Sequence, residues 1–201
     1  EINRIIKKEA AYSNARSTIV GRYLNSKYAG QSAVIVVDSN TKKNKSMMAP
    51  NDTLTAELKD LKLKDYEVIE MPGENIDPQQ MKPLEEYTNA EAYNKIFSKN
   101  FDANLIIITT SLPYNPEEIE KLTVWKNDPT KQKVVLIGSD VSMLRKAIAA
   151  GYIAAAVIPK ALDNYDADKA APADPQAAFD ERYILVTPEN VKDHAKLFRD
   201  N

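Results

Sequence analysis

Short apolar runs rich in β-branched residues recur along the chain, separated by segments with helical spacing. The clearest unit is Lys133–Lys160, KVVLIGSDVSMLRKAIAAGYIAAAVIPK. Val134–Ile137 is too brief for a helix and reads as a buried strand, and Gly138-Ser139-Asp140 is a turn with helix-capping residues. Met143, Leu144, Ala147 and Ile148 then fall on one helical face, Gly151 stops that helix, and Ile153–Ile158 is a second buried strand. A strand–helix–strand unit whose strands are apolar throughout implies a parallel sheet covered on both faces.

The same reading extends over the chain. Ile2 to about Tyr28 is a helix with Ile19, Val20, Tyr23 and Leu24 as its stripe, closed by Gly30. Ala33–Val37 is the first strand, followed by a long polar connection to about Asp52 and a short helix marked by Leu54, Leu58 and Leu61. Tyr66–Met71 is the second strand, and Pro72 to Glu86 is too rich in proline for a regular element. Thr88 and Glu91 form a capping box for a helix buried through Tyr93, Ile96 and Phe97. Leu105–Thr109 is the third strand, and Asn115-Pro116-Glu117-Glu118 starts a helix whose Ile119 and Leu122 face inward, with Trp125 covering the sheet. Residues 161–181, rich in Ala, Asp and Pro, read as an extended connection. Tyr183–Val186 is a last strand, and Thr187-Pro188-Glu189 starts a closing helix with Val191, His194, Ala195 and Phe198 on one face. The expectation is a single α/β domain over residues 1–201, with an N-terminal helical segment at 1–30. Its architecture is a three-layer αβα fold on a mostly parallel sheet of five to six strands, flavodoxin-like in winding.

Composition removes several function classes. A net charge of −2, from 27 basic and 29 acidic residues, leaves no footprint for nucleic acid. The absence of cysteine excludes disulfides, thiolate chemistry and cysteine-held metals. No run approaches the roughly 20 apolar residues of a membrane span. The chain opens on Glu1 instead of Met, so an upstream segment has been processed or left out; a cleaved export signal and a trimmed domain are the two explanations.

Candidate chemistry gathers where strands end, since open parallel sheets bind ligands outside their carboxyl edge. Those ends supply Asp38, Ser39 and Asn40, then Thr110 and Ser111, then Ser139 and Asp140, a set suited to a small hydroxylated molecule. The competing explanation is that these residues cap the helices that follow. The five glycines are scattered, with neither a phosphate loop nor a dinucleotide fingerprint, and no cofactor is implied. His194, the lone histidine, reads as structural and not as a general base. Nothing here compels an enzymatic reading. A metal-assisted hydrolase or transferase built on Asp38 and Asp140 is the alternative from that class, and a pure interaction surface about Met47, Met48 or Trp125 is another.

Two family resemblances bear on the choice. Gly138-Ser139-Asp140, followed by Leu144-Arg145-Lys146-Ala147-Ile148-Ala149-Ala150-Gly151-Tyr152-Ile153-Ala154-Ala155-Ala156-Val157, resembles the distal lobe of type I periplasmic sugar-binding proteins. In that family a glycine-x-aspartate turn precedes a helix ending in an alanine-isoleucine…glycine step and an isoleucine-x-alanine-x-valine strand. Val186-Thr187-Pro188-Glu189-Asn190-Val191 is similar to the family's threonine-x-glutamate-asparagine-valine near the C-terminus. The resemblance implies a non-catalytic, extracytoplasmic module for a small polar solute or a protein partner, with Asp140 where the family's aspartate holds sugar hydroxyls. Pro159 departs from the pattern, standing where the family places an amide-bearing residue, and the chain has residues for one good sheet where the family has two lobes, so the expectation is a single-lobe or degenerate form. Val36-Val37-Asp38 and Lys160 also resemble the receiver domains of two-component signalling. Thr109 or Thr110 stands there in the phosphoacceptor region, so that resemblance implies a pseudo-receiver.

Overall fold

The computed structural model describes residues 2–71, 78–80, 82–162, 166 and 169–200. Its centre is a sheet ordered β2-β1-β4-β5-β6-β7, in which β1 is Ser32–Asp38, β2 Lys62–Leu63, β4 Leu105–Ile108, β5 Lys133–Leu136, β6 Ile153–Pro159 and β7 Tyr183–Val186. A short β3, Glu67–Ile69, pairs with the end of β1 while β2 pairs with its beginning, so the two share one interrupted edge. All pairings are parallel except β6 with β7, which is antiparallel.

The strands are buried on both sides because their alternate residues feed two separate cores. Val34, Val36, Ile106, Ile108, Val134 and Leu136 point to one face, toward Tyr93, Ile96 and Phe97 of α4 (Ala90–Lys99) and Ile148 of α6 (Arg145–Ala149). Also on that face is α5 (Pro116–Glu120), whose following turn buries Leu122 and Val124. Ala33, Ile35, Val37, Leu105, Ile107, Val135 and Ile137 point to the other face. They meet Val20 and Leu24 of α1 (Ile2–Lys27), Leu54 of α3 (Lys45–Glu57), and Phe179 of α7 (Pro175–Arg182). The period of two residues thus yields the expected three layers. In β6 the phase slips: Val134 pairs with Ile153 but Val135 with Ala155, leaving Ala154 as the extra residue of a bulge. Ile153 and Ala156 therefore share one core, while Ala154, Ala155 and Val157 join the other.

Several expectations need correction. The polar stretch after β1 is helical: α2 (Ser39–Lys43) is capped by Asp38, and α3 by Asn44, whose side chain accepts from the backbone N–H groups of Ser46 and Met47. Pro50 lies inside α3, which packs closely on α1 at Gly21, where an added Cβ would stand 2.6 Å from Glu57 Cβ. α4 is capped by Asn89, which accepts from Ala92 N at 3.0 Å, while Thr88 turns its hydroxyl back to the Glu85 carbonyl, so the Thr88–Glu91 capping box does not form. The expected extended connection at 161–181 includes residues 163–165 and 167–168, which lie outside the described residues, and its last part is helical: Asp174 accepts from Ala177 N and, with Pro175, starts α7. The closing helix after Pro188 is absent. Successive i→i+3 turns replace it, fixed by Asn190, which takes the Thr187 N–H at 2.7 Å and donates to the Leu185 carbonyl. Most of Pro72–Glu86 lies outside the described residues or forms short 3-10 turns at Pro78–Gln80 and Leu84–Glu86.

Candidate functional site

The carboxyl ends of β1, β4 and β5 lie side by side on one rim of the sheet, as three adjacent parallel strands require. The sequence-predicted residues divide there. Asp38 is buried, and both its oxygens are engaged by Thr41, one by the backbone N–H at 2.8 Å and the other by the hydroxyl at 2.7 Å. Ser39 is buried and accepts from Met71 N at 3.0 Å, tying β1 to the segment after β3; Asn40 is exposed on α2. Ser139 is buried and links two strand ends, accepting from Leu112 N at 3.1 Å and donating to the Thr110 carbonyl at 3.3 Å. Thr110 is buried too, and its hydroxyl has no hydrogen-bond partner. Ser111 is half-buried and donates to the Gly138 carbonyl at 3.4 Å, while Asp140 is exposed, spending one oxygen on Ser142 N at 2.9 Å.

Because Asp140 closes this short turn, it does not cap α6. That helix starts five residues later and draws its cap from the far end of the chain: the Asp200 carboxylate accepts from Arg145 N and Lys146 N, each at 3.1 Å. Met143 is consequently 58% exposed instead of buried on a helix face.

The turn Gly138–Ser142 separates two cavities, and Gly138, Asp140 and Ser142 line both. The larger, about 540 Å³, opens between the β4 and β5 ends and α6. Its apolar wall includes Leu112, Tyr114, Ile119, Trp125 and Met143, with Ser111 and Lys146 among its polar groups. Trp125 is fixed in that wall by a 2.7 Å bond from its indole nitrogen to the Ile119 carbonyl and by an edge-on contact with Tyr152 at 6.2 Å. The smaller cavity, about 300 Å³, lies toward α1 and is lined by Arg16, Ser139, Val157 and Tyr183 among others. Apolar walls with a few converging polar groups are the usual make-up of a small-molecule site. Another depression of about 650 Å³ runs over α1 and α7, past Arg22, Lys160 and Gln176, away from the strand ends.

The sequence reading picked out Ser111, Ser139 and Asp140 but missed Ser142, Trp125 as a cavity wall, Tyr114 and Arg16. Arg16 stands three and four residues before Ile19 and Val20, so helical spacing puts it on the buried stripe of α1; that it lacks a partner there is not written in the spacing. Asp38 and Asp140, the proposed metal pair, follow strands with β4 between them, a gap of roughly 10 Å at ordinary strand spacing. Among the described residues no cluster of three or more His, Asp or Glu side chains is arranged to hold a metal ion. For the receiver-like reading, Thr109 is tied by its hydroxyl to the Val36 carbonyl at 3.0 Å, and Lys160 donates to the Asp180 carbonyl. Among the described residues no helix is long and apolar enough to cross a membrane.

The sequence matches no protein-family profile and no curated protein. Solved structures do match in shape. A periplasmic ribose ABC transporter protein from Conexibacter woesei superposes with a TM-score of 0.53 at 12% identity, covering 92% of this chain and 60% of its own. A sugar-binding ABC transporter protein from Bacillus halodurans gives 0.51 at 12%, covering 90% and 64%. An arabinose-binding protein from Geobacillus stearothermophilus gives 0.51 at 10%, covering 90% and 62%. The chain thus spans less than two thirds of the length of each of these proteins, and at such identities the likeness is one of fold. The fold is that of the periplasmic sugar-binding proteins of ABC transporters.

Proposed function

We propose that the protein is a non-catalytic solute-binding module that works outside the cytoplasm and holds a small hydroxylated molecule against the Gly138–Ser142 turn. The observation that carries this reading is the position of Asp140: an exposed carboxylate on a turn that walls two cavities at the carboxyl rim of the sheet. A carboxylate there accepts from two adjacent hydroxyls of a sugar-like ring, the Ser111 and Ser142 hydroxyls add exchangeable donors, and Trp125 and Tyr114 offer apolar faces to its C–H surface. Asp38, Ser39 and Ser139 hold the rim in shape through the bonds described above, and Thr110 lends an unpartnered hydroxyl beneath it. The shared fold with a periplasmic ribose ABC transporter protein, an arabinose-binding protein and a sugar-binding protein supports the same solute class and an extracytoplasmic setting.

Thermal unfolding in the presence of D-ribose, L-arabinose and hexoses tests this, with Trp125 fluorescence as a second readout. A ligand at about 100 times its dissociation constant should add roughly 2.7 kcal/mol of stability, and Asp140→Ala should abolish the gain. No shift and no fluorescence change with any of these sugars, nor with their acid forms, would overturn the reading.

A further inference from the structure

Arg16 occupies the wall of the smaller cavity with Ser139, Asp140, Ser142 and Tyr183. It is half-buried, its Nε is fully enclosed without a hydrogen-bond partner, and its guanidinium lies 5.5 Å from the centroid of the Tyr183 ring. No carboxylate among the described residues pairs with it; burial holds the group below the usual arginine range, opposed only by Tyr183. In the same helical layer a second arginine is paired. Arg182 meets both oxygens of Glu9, each at 3.2 Å, and stacks over Tyr12 at 4.0 Å. Leaving a desolvated cation unpaired costs stability, and evolution retains such a cost most readily where a ligand supplies the missing charge.

We propose that the smaller cavity is an anion subsite and that the solute is a hydroxylated carboxylic acid of sugar-acid type. Arg16 receives its carboxylate through the planar guanidinium fork, while Asp140 and Ser142, which line the same cavity, take its hydroxyls. At about 300 Å³ the cavity is at the small end of ligand sites, which fits one short polyol chain or single ring. The inference rests on the solute-binding reading of Asp140 and adds the charge of the solute to it.

Isothermal titration calorimetry with D-gluconate, D-glucuronate and D-glucose, on the wild type, Arg16→Met and Asp140→Asn, tests it. The wild type should bind at least one acid about tenfold or more tighter than glucose, as a charge-assisted pair provides. Arg16→Met should erase that margin by weakening the acids far more than glucose, and should melt at or above the wild-type temperature, because an unpaired desolvated cation has gone. Asp140→Asn should weaken acid and neutral sugar alike. Acids that bind no tighter than glucose, or whose margin survives Arg16→Met, overturn the anion subsite and leave solute binding standing. Silence with all three ligands, and with ribose and arabinose, removes both. If Arg16→Met does not fold, Arg16→Gln carries the same comparison.

Discussion

At the scale of single residues, the rim owes its shape to a close approach of two backbones. A Cβ on Gly138 would stand 2.7 Å from the Thr109 carbonyl oxygen, and that oxygen belongs to the strand end next door, so it cannot step aside as a side chain would. Gly138→Ala should therefore cost about 1–3 kcal/mol of stability, read as a lower urea midpoint with an unchanged slope. The need for glycine here was not legible in the sequence, because the obstructing atom lies 29 positions away in the chain. Gly151 was legible: it ends α6 at φ +83°, a backbone state that glycine adopts without steric penalty. Asp140 and Ser111 were likewise readable as strand-end polar residues, whereas Arg16 was not, since its significance comes from lacking a partner.

At the scale of elements, caps decided where the sequence reading held and where it slipped. Asn115-Pro116 and Asp174-Pro175 carry the same start signal, and both begin helices. The second is obscured in the sequence by the alanine- and proline-rich residues before it, which point to an extended connection. At α4 two neighbouring residues competed for one cap, and Asn89 took it. Asn89→Ala should lower stability by about 1 kcal/mol, while Thr88→Ala, which removes only a 3.3 Å bond to the Glu85 carbonyl, should cost less; chemical denaturation of the pair decides. Helix α6 shows the limit of local reading, since its cap, Asp200, arrives from the chain's end.

At the scale of the whole molecule, burial ties stability to pH at the alkaline end. Tyr93 is fully buried and donates to the Ser111 carbonyl at 2.6 Å; burial, and next the charge of Asp38, push its phenol well above the ordinary value. The unfolded chain ionises this group near pH 10, as free tyrosine does, so above that pH the folded state binds the extra proton. Its contribution is complete below about pH 10 and is lost as pH rises, by about 1.4 kcal/mol for each pH unit between the two values. Tyr12 and Tyr28, also raised mainly by burial, act with the same sign. Urea midpoints should thus fall between pH 10 and 11, and Tyr93→Phe should flatten that fall. The apolar runs of the sequence by themselves determined the longer strands, the two-sided burial of the sheet and its αβα layering, because a strand apolar on both sides must be covered on both; the two-residue β2 carries no such run and was not legible. Only the tertiary structure decided which strand-end groups were consumed in holding the rim and which stayed exposed. It also decided the phase of β6 across its bulge and the cap of α6. Each of these depends on an atom from another element coming within a few ångströms, and distance in space is not written in local order.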